Sequence, residues 1–136
     1  MNKVTAFVEI GIGGTYSVYV DLEDKTLNYG IHGNGNTAKE AIDDFISAYE
    51  TMKKFHNKEG KHFVEAVFEF HFDVPSFLGY YTNYFSLAGL ARLTGINQRQ
   101  LSHYLNGVRS PSKQTIKKID SSINTFAKNL SQVQFV

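Results

Sequence analysis

The chain has no cysteine. That excludes disulfides and thiolate metal sites and fits a reducing compartment. It also lacks any run of about 18 apolar residues, the length a membrane-crossing helix needs. Its opening residues, MNKVTAFVEIGIGG, lack the continuous apolar stretch of a signal peptide. The expectation is a soluble cytoplasmic protein with no membrane contact. Five histidines, His32, His56, His62, His71 and His103, show neither H-x-H nor H-E-x-x-H spacing, so no metal is expected. Gly11-Ile12-Gly13-Gly14 has no helix after it, and neither it nor Gly33-Asn34-Gly35 has the downstream Lys-Ser/Thr of a phosphate loop. No cofactor is expected.

What is present is a 42% hydrophobic share over 136 residues, enough for one ordinary domain or two small ones. Residues 3–10 place Val4, Ala6, Val8 and Ile10 on one face, and residues 15–21 repeat the alternation with Tyr16, Val18 and Val20. With Gly11 to Gly14 between them, this reads as a β-hairpin. Leu27 to His32 reads as a third strand, ended by the break Gly33-Asn34-Gly35-Asn36. Thr37-Ala38-Lys39-Glu40 is a capping box that opens a helix. Ala38, Ala41, Ile42, Phe45, Tyr49 and Met52 form its apolar stripe, and Lys53 and Lys54 stand at its negative end. A polar linker, residues 57–61, precedes a fourth strand over residues 62–73. There Val64, Ala66, Phe68, Phe70 and Phe72 alternate with Glu65, Glu69, His71 and Asp73. Pro75 then opens a helix running to about Asn83.

The C-terminal part reads differently. Leu87, Leu90, Ala91 and Leu93 recur at helical spacing before Gly95, where the backbone can turn without a Cβ penalty. Asn97 can cap a second helix, with Gln100 reaching back to it. Leu101, Tyr104 and Leu105 form its apolar side, so Gln98, Arg99, Ser102, His103 and Asn106 should face outward. Glutamine and asparagine pair bidentately with adenine and arginine with guanine, while serine and histidine reach a base edge or a phosphate. Two short helices around a glycine turn, with a third behind, are a helix-turn-helix. Charge supports this independently. Residues 84–136 carry seven basic residues against Asp120 alone, a net +6, whereas residues 1–83 carry seven lysines against twelve acids, a net −5. Only the C-terminal part suits a polyanion.

The segment from Gly95 to Gly107, followed by Val108-Arg109-Ser110-Pro111-Ser112, resembles the phage-repressor (Xre-like) helix-turn-helix family. The resemblance implies that Gln98 and Arg99, with Ser102 and His103 one turn later, read bases. Arg109, Ser112 and Lys113 match the positions where that family holds a phosphate, and Asn97 and Asn106 flank the reading helix. The β-β-β-α-β order, with Gly33 to Ala41 spelling G-x-G-x-T-x-x-E-A, resembles the HicB antitoxin family. Where that family often has a P-D-L-P-G loop, this chain has Val20-Asp21-Leu22-Glu23-Asp24, without proline.

The chain is expected to be α+β in three parts: a domain over residues 1–73 that the resemblance implies is partial ribonuclease-H-like, a helix-turn-helix domain over 74–131, and a tail over 132–136. The resemblance also implies a role. The N-terminal domain would silence a small basic HicA-like ribonuclease toxin, and the C-terminal domain would repress the operon by binding operator DNA. One recognition helix covers few base pairs, so a homodimer or higher oligomer is expected. The alternative is a stand-alone transcription regulator whose N-terminal domain senses a small molecule or only dimerises. Two-metal hydrolysis needs carboxylates converging on ions about 3.5–4 Å apart. The candidates are Glu9, Asp21, Asp43 or Asp44, and Asp73. Glu9, Asp43 and Asp44 fall away from the apolar faces, so no enzyme activity is expected. The tail alternates as Gln132, Val133, Gln134, Phe135, which suits a strand added to a sheet edge of this chain or a neighbour.

Overall fold

A computed structural model describes residues 1–11 and 13–136; Ile12, in the expected hairpin loop, lies outside the described residues. The chain divides into two compact units, residues 1–76 and 77–136.

In the first unit, β1 (Asn2–Ile10), β2 (Tyr16–Val20), β3 (His32–Gly35) and β4 (Ala66–Phe72) form one sheet in the order β3-β2-β1-β4. The helix α1 (Ala38–Lys58) lies between β3 and β4 in the chain, giving the expected β-β-β-α-β order. β1 and β2 pair antiparallel through Val8↔Val18, and β1 pairs with β4 in parallel through Ala6↔Phe70. A parallel pair needs a crossover, and α1 supplies it. Side chains alternate as period two requires. Val4, Ala6, Val8, Val18 and Ala66 are buried on one face, and Phe45 of α1 meets Phe68 and Phe70 edge-on at 4.9 and 5.9 Å between ring centroids.

The third strand is not where the alternation placed it. Residues 27–31 form no ladder, and β3 is built from the glycine segment read as a break. The reason is close approach of α1. A Cβ on Gly33 would stand 2.3 Å from the Ala41 carbonyl oxygen and 2.5 Å from the Phe45 nitrogen. One on Gly35 would stand 2.5 Å from Glu40 Cβ. Glycine inside a strand marks a place where another backbone comes near. Residues 28 and 29 instead hold the chain ahead of β4. Tyr29 stacks on Phe63 at 4.6 Å and its hydroxyl donates to the Val64 carbonyl, while Asn28 bonds the backbone of His62 and Val64. Residues 61–65 are therefore irregular, and β4 is shorter than its pattern suggested. Burial pushes the Tyr29 hydroxyl up to about 12, with the negative charges of Tyr49 and Glu65 adding to it.

The helix α1 also runs further than expected, through Asn57 and Lys58, and ends where Gly60 adopts φ +68°. His56 explains the extra turn: only 8% exposed, it packs edge-on against Tyr29 and Phe63, and its Nδ1 lies 3.0 Å from the Met52 carbonyl oxygen. Lys53, expected only to oppose the helix dipole, pairs with Glu65. That contact holds the Glu65 carboxyl below its ordinary range and the Lys53 ammonium above its own. At the other end, Thr37 Oγ1 accepts from the Glu40 amide at 3.1 Å, but the Glu40 carboxylate takes the amide of Asn36, so the return half of the capping box is displaced by one residue.

In the second unit, α3 (Leu87–Thr94) packs on both α4 (Gln98–Leu105) and α5 (Lys113–Leu130). The division between units falls inside α2 (Val74–Tyr81), whose first turn is capped by Asp73 Oδ1 accepting from the Ser76 amide at 2.7 Å. Residues 133–136 form no strand, and Val133 and Phe135 are exposed.

Gly33→Ala is expected to destabilise the chain by at least about 2 kcal/mol, because backbone atoms of α1 must move to admit the methyl group. Gly30→Ala, which meets nothing within 4 Å, is expected to change stability by less than about 0.5 kcal/mol. Urea denaturation of both variants checks this; equal midpoints would show that α1 does not press on β3.

Candidate nucleic-acid interface

The recognition unit is assembled by local backbone chemistry. Ser86 caps α3, its Oγ accepting from the Gly89 amide at 2.9 Å. Gly95 ends α3 with φ 73°, a left-handed conformation that costs a glycine little. Asn97 caps α4, with Oδ1 accepting from the Arg99 amide at 2.8 Å and from the Gln100 amide at 3.4 Å. Gln100 does not reach back as expected. Its amide nitrogen donates to the Tyr104 hydroxyl at 3.1 Å, one turn along the same helix. Asn106 ends α4, Gly107 turns at φ 73°, and Ser112 caps α5 by accepting from the Thr115 amide at 3.2 Å.

On α4, Leu101 is 1% exposed and Tyr104 3%, which fixes the rotation of an eight-residue helix. The expected polar face then divides. Gln98, Arg99 and Asn106 are exposed, whereas Ser102 and His103 are half-buried. Asn106 Nδ2 lies 3.4 Å from Ser102 Oγ, tying those two side chains together. His103 Nδ1 is buried with no hydrogen-bond partner, so the rest of the ring is the part left for a ligand. The caps at the two ends of α4, Asn97 and Asn106, are exposed, and so are Arg109, Ser112 and Lys113 around the start of α5. Two of these do structural work at once, since Asn97 and Ser112 already satisfy helix amides. Their location still matters, because a helix start presents N–H groups and a positive dipole end to an anion.

Lys118 is a residue that pattern reading did not single out. Its Nζ lies 3.5 Å from the Gly95 carbonyl oxygen, bracing the α3–α4 turn from α5. Nothing local in the sequence signals that contact across 23 positions. Arg92, in the last turn of α3, is a further exposed cation.

The carboxylates weighed for metal chemistry are otherwise engaged. Glu9 Oε1 accepts from the Tyr19 hydroxyl, Asp44 from the Asn34 amide, Asp73 from the Ser76 amide, and Asp43 pairs with Lys39. Among the described residues, no three metal-ligating side chains come together, and no helix is long and apolar enough to cross a membrane.

Residues 83–125 match a family model described as helix-turn-helix. That span covers α3, the turn, α4 and the first two thirds of α5. The match supports a DNA-binding transcription regulator. No curated protein and no solved structure matches the chain.

Asn97→Ala is expected to lower stability by about 1 kcal/mol, because two α4 amides lose their acceptor. Asn106→Ala removes only one long side-chain contact and is expected to stay within about 0.5 kcal/mol. Thermal unfolding of the two variants decides it; equal shifts would contradict the capping geometry.

Proposed function

We propose that this chain is an autoregulating antitoxin: its second unit binds operator DNA, and its first unit holds a small basic ribonuclease of the HicA type. The observation that carries the reading is the separation of charge onto the two compact units, −5 on residues 1–76 and +6 on residues 77–136. Exposed Gln98 and Arg99 lie at the start of α4, on the basic unit. A cationic unit gains affinity for DNA by releasing condensed counterions. An acidic unit favours and accelerates association with a basic protein and is repelled by phosphate. The β-β-β-α-β order and the glycine segment beside α1 support the HicB-type reading of the first unit, with a partial ribonuclease-H-like fold. Operator recognition would use a dimer or higher oligomer, since one recognition helix spans too few base pairs for genomic specificity.

In this scheme Gln98 and Arg99 meet base edges. Ser102 and the accessible part of His103 support them, and Arg109, Ser112 and Lys113 hold phosphate. The first unit performs no hydrolysis; it acts by covering the toxin.

A second reading is favoured by one feature. Ile31, Ala48, Met52 and Phe55, with His32 and Asp44 among the polar lining, border an open groove of about 610 Å³ along α1. A stand-alone regulator that senses a small apolar molecule would use it. Co-expression with the product of an adjacent reading frame separates the two. The antitoxin reading expects growth arrest by that product alone, rescue by this chain, and co-purification. Absence of arrest, with a ligand-induced change in operator affinity, would favour the sensor.

Arg99→Ala is expected to cost about 1–3 kcal/mol on a selected operator and to relax base preference there. Lys113→Ala should weaken all sequences alike and reduce the salt slope by about 1. Binding isotherms on operator and random duplex, across salt, test both. Equal loss on the two duplexes for Arg99→Ala would remove it from base reading.

A further inference from the structure

The face of the sheet opposite α1 carries an organised row of rings. Phe7, on the inner strand β1, is in register with Tyr19 on β2 and with His71 on β4. Ring centroids are 5.8 Å apart for Phe7 and Tyr19 and 6.1 Å for Phe7 and His71. Period-two alternation puts all three on the side away from buried Val4, Ala6 and Val8. That side reaches solvent: Glu9, Glu69 and His71 are exposed, Val67 is 52% exposed, and Phe7 and Tyr19 are half-buried between them.

Carboxylates frame the row. Glu9 Oε1 accepts from the Tyr19 hydroxyl at 2.8 Å, and Glu69 lies 3.2 Å from Lys3 Nζ and 3.8 Å from His71 Nε2. The field is negative. The Tyr19 hydroxyl is held above its ordinary range first by the hydrogen bond to Glu9, then by burial, then by the charges of Glu9, Asp21 and Asp73.

Rings and carboxylates together select among possible occupants. A duplex or single strand would stack on rings but is repelled by the surrounding acids. A second copy of the same face would set Glu9 and Glu69 against like charges. A guanidinium group satisfies both features, because its plane lies on an aromatic face while its N–H groups fork onto a carboxylate.

We propose that this open sheet face is the docking surface for a basic partner protein, which lays arginine side chains along Tyr19, Phe7 and His71 and against Glu9 and Glu69. The inference deepens the antitoxin reading and rests on it for the partner being a small basic protein. The arginine chemistry rests on the rings and carboxylates.

The test uses the full chain and fluorescein-labelled nona-arginine and nona-lysine peptides at low ionic strength. Nona-arginine is expected to bind about fivefold or more tighter than nona-lysine, since only guanidinium stacks and forks. Glu9→Gln/Glu69→Gln is expected to weaken nona-arginine about tenfold or more. Glu50→Gln/Glu59→Gln removes the same charge from α1 and its C-cap and is expected to change it less than about twofold. Far-UV circular dichroism and the urea midpoint, unchanged in both pairs, confirm that the variants fold. Equal losses in the two pairs, no preference for arginine, or no peptide binding would each overturn the proposal. So would a change in oligomeric state on Glu9→Gln/Glu69→Gln, measured by sedimentation, since a second copy would then occupy the face. If the peptide results hold but a neighbouring gene product is not neutralised, the antitoxin reading fails and the arginine-binding face stands.

Discussion

Burial of Leu101 and Tyr104 is the constraint on which the functional geometry depends. α4 is too short to be stable by itself in water, so tertiary packing sets both its existence and its rotation. Once those two side chains are inside, Gln98 and Arg99 have nowhere to go but outward. The caps add precision to that placement: Asn97 fixes where α4 starts and Gly95 the direction from which the chain arrives. Lys118 then ties α5 to the carbonyl at the turn. A reading helix needs such support, because its long polar side chains contribute little to holding it in place.

The two units carry opposite net charge. In the proposed scheme one chain would meet both a polyanion and a cationic protein, and a single mixed surface would weaken both contacts. Separate units of −5 and +6 keep the fields local while the whole chain stays near neutrality at +1. The first unit follows the same economy. One sheet face is committed to the core with α1, and the other keeps its acidic side chains and His71 exposed beside the half-buried Phe7 and Tyr19.

The elements legible in the sequence are those whose signal is local. β1 and β2 alternate, α3 and α4 show helical spacing around a glycine, and Thr37, Asn97 and the stretch before Lys113 supply caps or turns; all appear close to where the pattern put them. What the sequence hid depends on distant partners. Gly33 and Gly35 look like a break, yet they form β3 because α1 needs their missing side chains. Tyr29 looks like a strand residue but spends its ring on Phe63. His56 lies outside the apolar stripe read for α1, and it is a core residue only because residues 29 and 63 come to it. At the interface, exposure of Gln98 and Arg99 followed from periodicity, whereas the buried Nδ1 of His103 and the reach of Lys118 did not.

Contact of α4 and the start of α5 with DNA is read out by amide hydrogen exchange on the full chain with and without a duplex selected from a random library. Protection is expected from Asn97 through Lys113, with the exchange of residues 1–76 unaltered. Protection confined to the acidic sheet unit, or none along α4 at saturating duplex, would contradict the account.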